Sequence, residues 1–167
     1  MSEADKFELI SQEMLDAIGK KSSPTKLEVD KLQIRLFARA VGHTDPIYYD
    51  EAEAKKAGFR SLPCPPGYLG TPIFDPSKAA AAAAGPAGRG GPQPKKPLNR
   101  VLNGGTVIEY FDDICAGDTL TSQSFLADVV ESPSASLGLL LISTNKTEYT
   151  NQDGKVVAVT TGTSIRY

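Results

Sequence analysis

The chain has 167 residues, a formal net charge of -2, 40% hydrophobic and 23% charged residues, two cysteines and one histidine. That length suits one domain with a real core and is short for two, and so weak a charge gives no electrostatic case for nucleic acid or an anionic membrane as partner. Two cysteines and one histidine are too few for a disulfide framework or a zinc site, so no metal is expected.

The opening residues, MSEADKFELISQEML, are acidic and lack the apolar segment of a signal peptide. No apolar run approaches the roughly 20 residues that a membrane helix needs. A cytoplasmic location is the expectation. Next, KSSPTKLEV fits a first strand. In LEVDKLQIRLFARAVG, Ile34, Phe37, Ala38 and Val41 recur at i, i+3, i+4 and i+7, the mark of one helical face. Asp30 with Gln33 three residues on forms a capping pair, and Gly42 is a natural stop. A shorter helix fits YDEAEAKKAGF, opened by Asp50 and closed by Gly58.

Prolines dominate SLPCPPGYLGTPIFDP, so any helix there is short and broken. Cys64 in LPCPPG and Cys115 in DICAGD have no local basic neighbour to lower a thiol pKa, and are expected to be reduced structural thiols. The stretch SKAAAAAAGPAGRGGPQPKKPLN is low in complexity. Its Gly/Pro-rich part has little to bury, and residues 77–97 are expected to be mobile. Arg89, Lys95, Lys96 and Arg100 either touch an anionic ligand or merely solubilise a loop.

From residue 105 the period becomes two. TVIEYFDDI, DTLTSQSFLADVVE, SLGLLLISTNKTEYTN and KVVAVTTGTSIRY are β-branched and aromatic runs separated by CAGD, SPSAS and NQDGK. These predict four strands in an antiparallel meander. Helices first and strands later predict an α+β domain, the helices packed on one face of the sheet.

The segment Gly42–Asp50, GHTDPIYYD, carries the single histidine at the end of the first long helix. It is a polar loop in a place where functional groups are often displayed. Asp45-Pro46 is also ordinary turn chemistry, and Tyr48 and Tyr49 also fit residues at the core's edge with wet hydroxyls.

Taken in order, FARAVG, GHTDPIYYD, EAEAKKAGF, RSLPCPPGY, LNGGTVIEY, ICAGDTLT and EYTNQDGKVVA resemble the MaoC-like acyl dehydratases, the R-specific enoyl-CoA hydratases of the hot-dog fold. The likeness is greatest to their N-terminal-type domain. It covers nearly all of a single domain over residues 1–167, except the Ala/Gly/Pro-rich stretch at about 77–97, which looks like an insertion. The resemblance implies an antiparallel sheet wrapped around a central helix, here starting near Pro66. It also implies dimerisation as a double hot dog, and hydration of trans-2-enoyl-CoA or dehydration of R-3-hydroxyacyl-CoA.

Active members of that family carry a loop of the form G-D-x-N-P-x-H, whose aspartate and histidine hold and activate the water. Laid on Gly42–Tyr48, the aspartate falls on His43, the asparagine on Asp45 and the histidine on Tyr48, while Pro46 matches. Tyrosine, with an ordinary pKa near 10, is a poor base at neutral pH. A His-Gly pair that starts the family's central helix falls on Pro65-Pro66. Proline has no N–H to polarise a thioester carbonyl, which leaves Gly67, Tyr68 or another chain to do it. The resemblance thus implies family-site positions at His43, Asp45 and Tyr48. It places substrate-binding positions at Pro66, Gly67, Tyr68, Gly104 and Gly105.

The expected function is an acyl-CoA-binding hot-dog subunit of an R-specific hydratase that takes its catalytic Asp and His from a relative. The alternatives are a self-sufficient homodimeric hydro-lyase with a rearranged His43/Asp45/Tyr48 site, and an acyl-thioester-binding protein without turnover. No cofactor is expected beyond the acyl-CoA thioester as substrate or ligand. The expected partner is a second copy or a catalytic hot-dog relative, with no nucleic acid and no membrane.

Overall fold

Asp30 starts the first long helix as the sequence predicts. The computed structural model describes residues 3–76 and 91–167. In it the Asp30 carboxylate accepts the N–H groups of Leu32 at 2.7 Å and Gln33 at 3.4 Å, two donors that a helix start would otherwise leave free. The chain runs through a short 3-10 turn, Glu3–Lys6, then α1 (Gln12–Ala17), β1 (Thr25–Glu28) and α2 (Lys31–Ala40). A second 3-10 turn, Pro46–Tyr48, leads to α3 (Glu51–Lys56) and β2 (Thr71–Pro72). Four long strands follow: β3 (Val101–Tyr110), β4 (Thr119–Ser134), β5 (Gly138–Thr150) and β6 (Val156–Arg166).

On α2 the predicted stripe holds at Ile34 and Ala38, which are fully buried. Val41 departs from it at 51% exposed. The helix ends at Ala40, and Val41 caps it with a ψ of 5°, so its side chain leaves the helical spacing. Gly42 then turns the chain with a φ of 77°. Asp50 caps α3 through the Ala52 N–H at 2.7 Å.

All six strands form one antiparallel sheet in the order β2-β1-β4-β5-β6-β3. This corrects the simple meander. Only β4, β5 and β6 follow one another; β3 lies on the far side of β6, and β4 takes β1 as its second neighbour. The cause lies in residues 111–118. The Phe111 N–H bonds to Val157 O at 2.8 Å, on β6, whereas the Gly117 N–H bonds to Val29 O at 2.8 Å, beside β1. The connection therefore crosses the end of the sheet instead of folding back as a hairpin. Register shifts leave one extra residue on β4, between Leu126 and Asp128, and one on β6, between Val156 and Ala158, and these bulges bend the strands into a curled sheet.

Two apolar clusters line this sheet. One joins Ile34 of α2 and Ala54 of α3 to Leu27, Leu62, Leu69, Leu120 and Val157. The other, farther along β4 and β5, joins Val129 and Leu141 to Leu9, Ile10 and Met14 of the N-terminal segment. That segment is pinned by Glu131 on β4. Its carboxylate accepts the N–H groups of Glu8 (3.1 Å), Leu9 (2.5 Å) and Ile10 (2.8 Å).

The helix expected near Pro66 is not formed there. Tyr68 N–H bonds to Pro65 O at 3.0 Å in a tight turn, Gly67 has a φ of 94°, and Thr71–Pro72 pairs with β1. Most of the low-complexity stretch, residues 77–90 with Arg89 among them, lies outside the described residues. Its final part is bonded to the N-terminal segment. Lys95 Nζ donates to the carbonyls of Ala4 and Phe7 at 2.7 Å each, and its N–H donates to Leu9 O at 2.8 Å. Lys96 pairs with Glu8, and Arg100 lies 5.9 Å over the Tyr167 ring. Each of these three cations has a partner within the chain. No described helix is long and apolar enough to cross a membrane.

Candidate functional site

The loop from Gly42 to Asp50 is stapled at several points. The His43 N–H returns to Ala38 O at 2.9 Å and closes α2. The Tyr49 hydroxyl donates to His43 O at 2.5 Å, and Arg35 Nε donates to Tyr49 O at 3.1 Å. Asp45 uses its carboxylate on the Ile47 N–H at 3.1 Å, capping the 3-10 turn. Among the described residues no hydrogen bond joins Asp45 to the His43 imidazole. What His43 meets is the Tyr48 ring, with centroids 5.4 Å apart and planes tilted by 39°.

Tyr48 faces a cleft of about 200 Å³ walled by Ile47, Phe59, Cys64, Pro66, Tyr110 and Ile114, with Asp112 and Asp113 also lining it. His43 and Asp45 are not on its wall. Burial, and then the charge of Asp45, pushes the Tyr48 phenol above its ordinary value. At neutral pH it is a protonated donor and not a base. Among the described residues, larger hollows of about 690 Å³ along Pro24, Ile73 and Phe74, about 500 Å³ beside Gln12 and Asp16, and about 450 Å³ beside Pro94, Leu98 and Arg166 hold none of the predicted site residues.

The opposite wall comes from the Pro63–Tyr68 segment. Cys64 N–H bonds to Ile114 O at 2.7 Å, and Ala116 N–H to Leu62 O at 2.9 Å, which lays this segment along residues 114–116. Pro66 lines the cleft. Gly67 donates its N–H to the Tyr110 hydroxyl at 2.8 Å. Tyr68 points away: it is 8% exposed, its ring lies 5.5 Å from Phe37, and its hydroxyl lies 3.0 Å from Thr71 Oγ1. Both backbone donors offered by the sequence, Gly67 and Tyr68, are therefore already engaged within the chain.

Gly104 and Gly105 are not brought to this cleft. They sit at the β3 bulge opposite Thr163, where a Cβ on Gly104 would come within 2.8 Å of Thr163 Cγ2. Tyr110, at the cleft, is five residues farther along β3, about 17 Å at strand rise. Gly104 lets the chain pass close to Thr163, and Gly105 supplies the positive φ of 121° that the bulge requires.

Sequence reading missed Tyr110, which came only as a letter in a strand, and it missed the buried Asp118. The Asp118 carboxylate accepts from Arg60 at 2.9 and 2.8 Å, from the Cys115 N–H at 2.9 Å and from Gln152 Nε2 at 3.1 Å. This knot fixes the turn that carries the chain from the cleft back to β4. The "AGD" of the family-like ICAGDTLT was the available signal. Burial pushes up the thiols of both Cys64 and Cys115, so neither is poised as a nucleophile. No group of three or more metal-ligating side chains is found among the described residues.

Residues 16–160 match the family described as FAS1-like, dehydratase domain region. A UPF0336 protein of Thermobifida fusca is 30% identical over 106 residues, covering 64% of this chain and 64% of that protein, so the matched part spans just under two thirds of that relative. The backbone overlays on the ChsH1-ChsH2 complex of Mycobacterium tuberculosis with a TM-score of 0.62, at 21% identity over 88% of this chain and 84% of that one. It overlays on the truncated HadBC (3R-hydroxyacyl-ACP dehydratase) complex of the same organism with a TM-score of 0.64, at 20% identity over 91% of this chain and 98% of that one. With its curled antiparallel sheet and few short helices the chain shares the hot-dog fold of a solved MaoC-like dehydratase, and by its match over residues 16–160 it belongs to the FAS1-like dehydratase domain family.

Proposed function

We propose that this chain is the acyl-thioester-binding half of an R-specific 2-enoyl-thioester hydratase, with the catalytic Asp and His supplied by a hot-dog relative. One observation carries the reading. At the family's water-activating positions His43 lies off the cleft wall, and Tyr48, on it, is a phenol held protonated. General acid–base catalysis near neutral pH needs a group that exchanges protons there. The cleft supplies donors and apolar walls, which suit binding a carbonyl without turning it over.

A partner is supported by the sheet edge. β3 ends the strand order, and Val101, Leu102, Val107 and Phe111 are 46–60% exposed along it and just beyond. A long edge with unpaired backbone and apolar side chains favours pairing with another sheet. Two of the similar structures are themselves complexes, ChsH1-ChsH2 and the 3R-hydroxyacyl-ACP dehydratase HadBC. A CoA-borne 2-enoyl group is the substrate class of this proposal.

The test is hydration of crotonyl-CoA by the purified chain alone, then by the chain co-expressed with Asp/His-bearing hot-dog relatives. Each missing acid–base group is worth about 10²–10⁴-fold, so the chain alone should turn over barely at all, and His43→Ala should change nothing. Turnover by the chain alone on the order of 10 s⁻¹, an ordinary enzyme rate, abolished by His43→Ala, would sink the proposal. A rearranged His43/Asp45/Tyr48 site in a homodimer would then take its place.

A further inference from the structure

We propose that the Tyr110 hydroxyl is the hydrogen-bond donor for the carbonyl oxygen of a bound acyl thioester, standing in for the backbone N–H that Pro65-Pro66 cannot supply. The inference rests on the acyl-binding reading above and names the residue that makes such binding specific. Tyr110 is the last residue of β3, and its hydroxyl oxygen accepts the Gly67 N–H at 2.8 Å. A phenol has one proton to give and lone pairs to receive. Accepting from Gly67 fixes the oxygen, polarises the O–H bond and leaves its proton for a third group. Among the described residues no acceptor takes that proton.

The surroundings fit a carbonyl oxygen as the missing acceptor. Tyr110 and Tyr48 line the same cleft of about 200 Å³, together with Phe59, Cys64 and Pro66. Tyr110 is 43% exposed, so in the free protein its proton is offered to solvent, and a bound carbonyl oxygen takes the place of water there. The cleft also includes Asp112 and Asp113. Asp112 is neutralised by Lys155 at 2.7 Å, but no described cation pairs with the Asp113 carboxylate. Its negative charge opposes a ligand carboxylate and leaves a neutral carbonyl unaffected. The group this cleft takes is therefore the uncharged thioester carbonyl, ahead of the carboxylate of the corresponding free acid.

The backbone dipole of Gly67 thereby acts on the ligand through Tyr110. The alternative is that the hydroxyl merely blocks Gly67, and the two ideas predict opposite effects of deleting one oxygen atom. The experiment compares wild type with Tyr110→Phe, using crotonyl-CoA labelled with ¹³C at the carbonyl, by calorimetry and by infrared spectroscopy of the bound band. The expected result is a carbonyl band in wild type shifted below that of free crotonyl-CoA. Affinity should fall about tenfold in Tyr110→Phe, the loss of one good hydrogen bond, and the band should return toward its free position. Crotonate should compete poorly with crotonyl-CoA in wild type.

A fluorinated tyrosine placed at position 110 alone, a stronger donor, should move the band lower still, and it keeps the test alive if Tyr110→Phe does not fold. If wild type binds no crotonyl-CoA, the acyl-binding reading fails and this inference with it. If wild type binds but Tyr110→Phe binds equally with an unchanged band, the inference alone is overturned. Tighter binding by Tyr110→Phe would show a blocking hydroxyl and would overturn it too.

Discussion

Replacing Asp118 by alanine should destabilise the protein far more than removing its ion-pair partner. The Asp118 side chain is 3% exposed, whereas Arg60 is 58% exposed. The pair itself, half in water, is worth about 0–1 kcal/mol. The larger cost is local. Cys115 is fully buried, and its N–H has the Asp118 carboxylate as its partner at 2.9 Å. Orphaning a buried N–H costs about 1–3 kcal/mol, and the lost Gln152 bond adds about 1. The sum for Asp118→Ala is roughly 2–4 kcal/mol, or about 5–15 °C in melting temperature for a domain of this size. Arg60→Ala, which leaves the Cys115 N–H satisfied, should cost about 1 kcal/mol or less.

The pH dependence has a definite sign. Burial alone would raise the Asp118 carboxyl, but Arg60, the Cys115 N–H and Gln152 outweigh it and hold the group below the usual aspartate range. A folded-state pKa below the unfolded value gives stability that is fully present above about pH 4, near the unfolded aspartate value, and is lost as pH falls through the folded one. Urea melts at pH 7 and at steps below pH 4 measure both effects. The wild type should lose stability in acid more steeply than Asp118→Ala. A loss under about 0.5 kcal/mol at pH 7, or identical acid limbs, would refute the reasoning.

Three further outcomes are expected. Glu131→Gln weakens three bonds to successive N–H groups; amide exchange at Glu8, Leu9 and Ile10 should quicken by at least about tenfold while that of α2 stays unchanged, since charged acceptors are worth about 1.5–3 kcal/mol more than none. Gly104→Ala forces a Cβ to 2.8 Å from Thr163 Cγ2, and should cost about 1–3 kcal/mol; adding Thr163→Ser, which removes that methyl, should restore part of the loss in a double-mutant cycle. Asp30→Ala removes the cap on Leu32 and Gln33, and should lower stability by about 1 kcal/mol in a thermal melt.

Local chemistry was legible in the sequence, and long-range pairing was not. Asp30 and Asp50 announce their helices because an N-cap is satisfied within three residues. NQDGK announces its turn for the same reason: Asn151 takes the N–H groups of Asp153 and Lys155, and Gly154 adopts a φ of 80°. The period of β3 marks a strand but says nothing of its neighbour. FDDI read as a continuation of that strand, although the chain had already left the sheet's edge to cross its end. The partnership of Tyr110 with Gly67 follows from that crossing, so it was invisible too. The family-like loop was found because its motif is contiguous. That His43 falls behind the cleft while Tyr48 enters it depends on the 3-10 turn capped by Asp45, a geometry that no spacing rule encodes.

The clamp formed by Glu131 on residues 8–10 separates two boundaries that are easily taken for one. The family match begins at residue 16. The folding unit starts earlier, because Leu9, Ile10 and Met14 complete the cluster around Val129 and Leu141. A fragment trimmed to residues 16–160 would strip the cover from Val129 and Leu141. It would also strand an acidic side chain that had been shaped to receive three amides. Such a fragment would be sticky and poorly behaved through a fault of its cutting, with its cleft residues all present, and a negative binding result obtained with it would say nothing about the cleft.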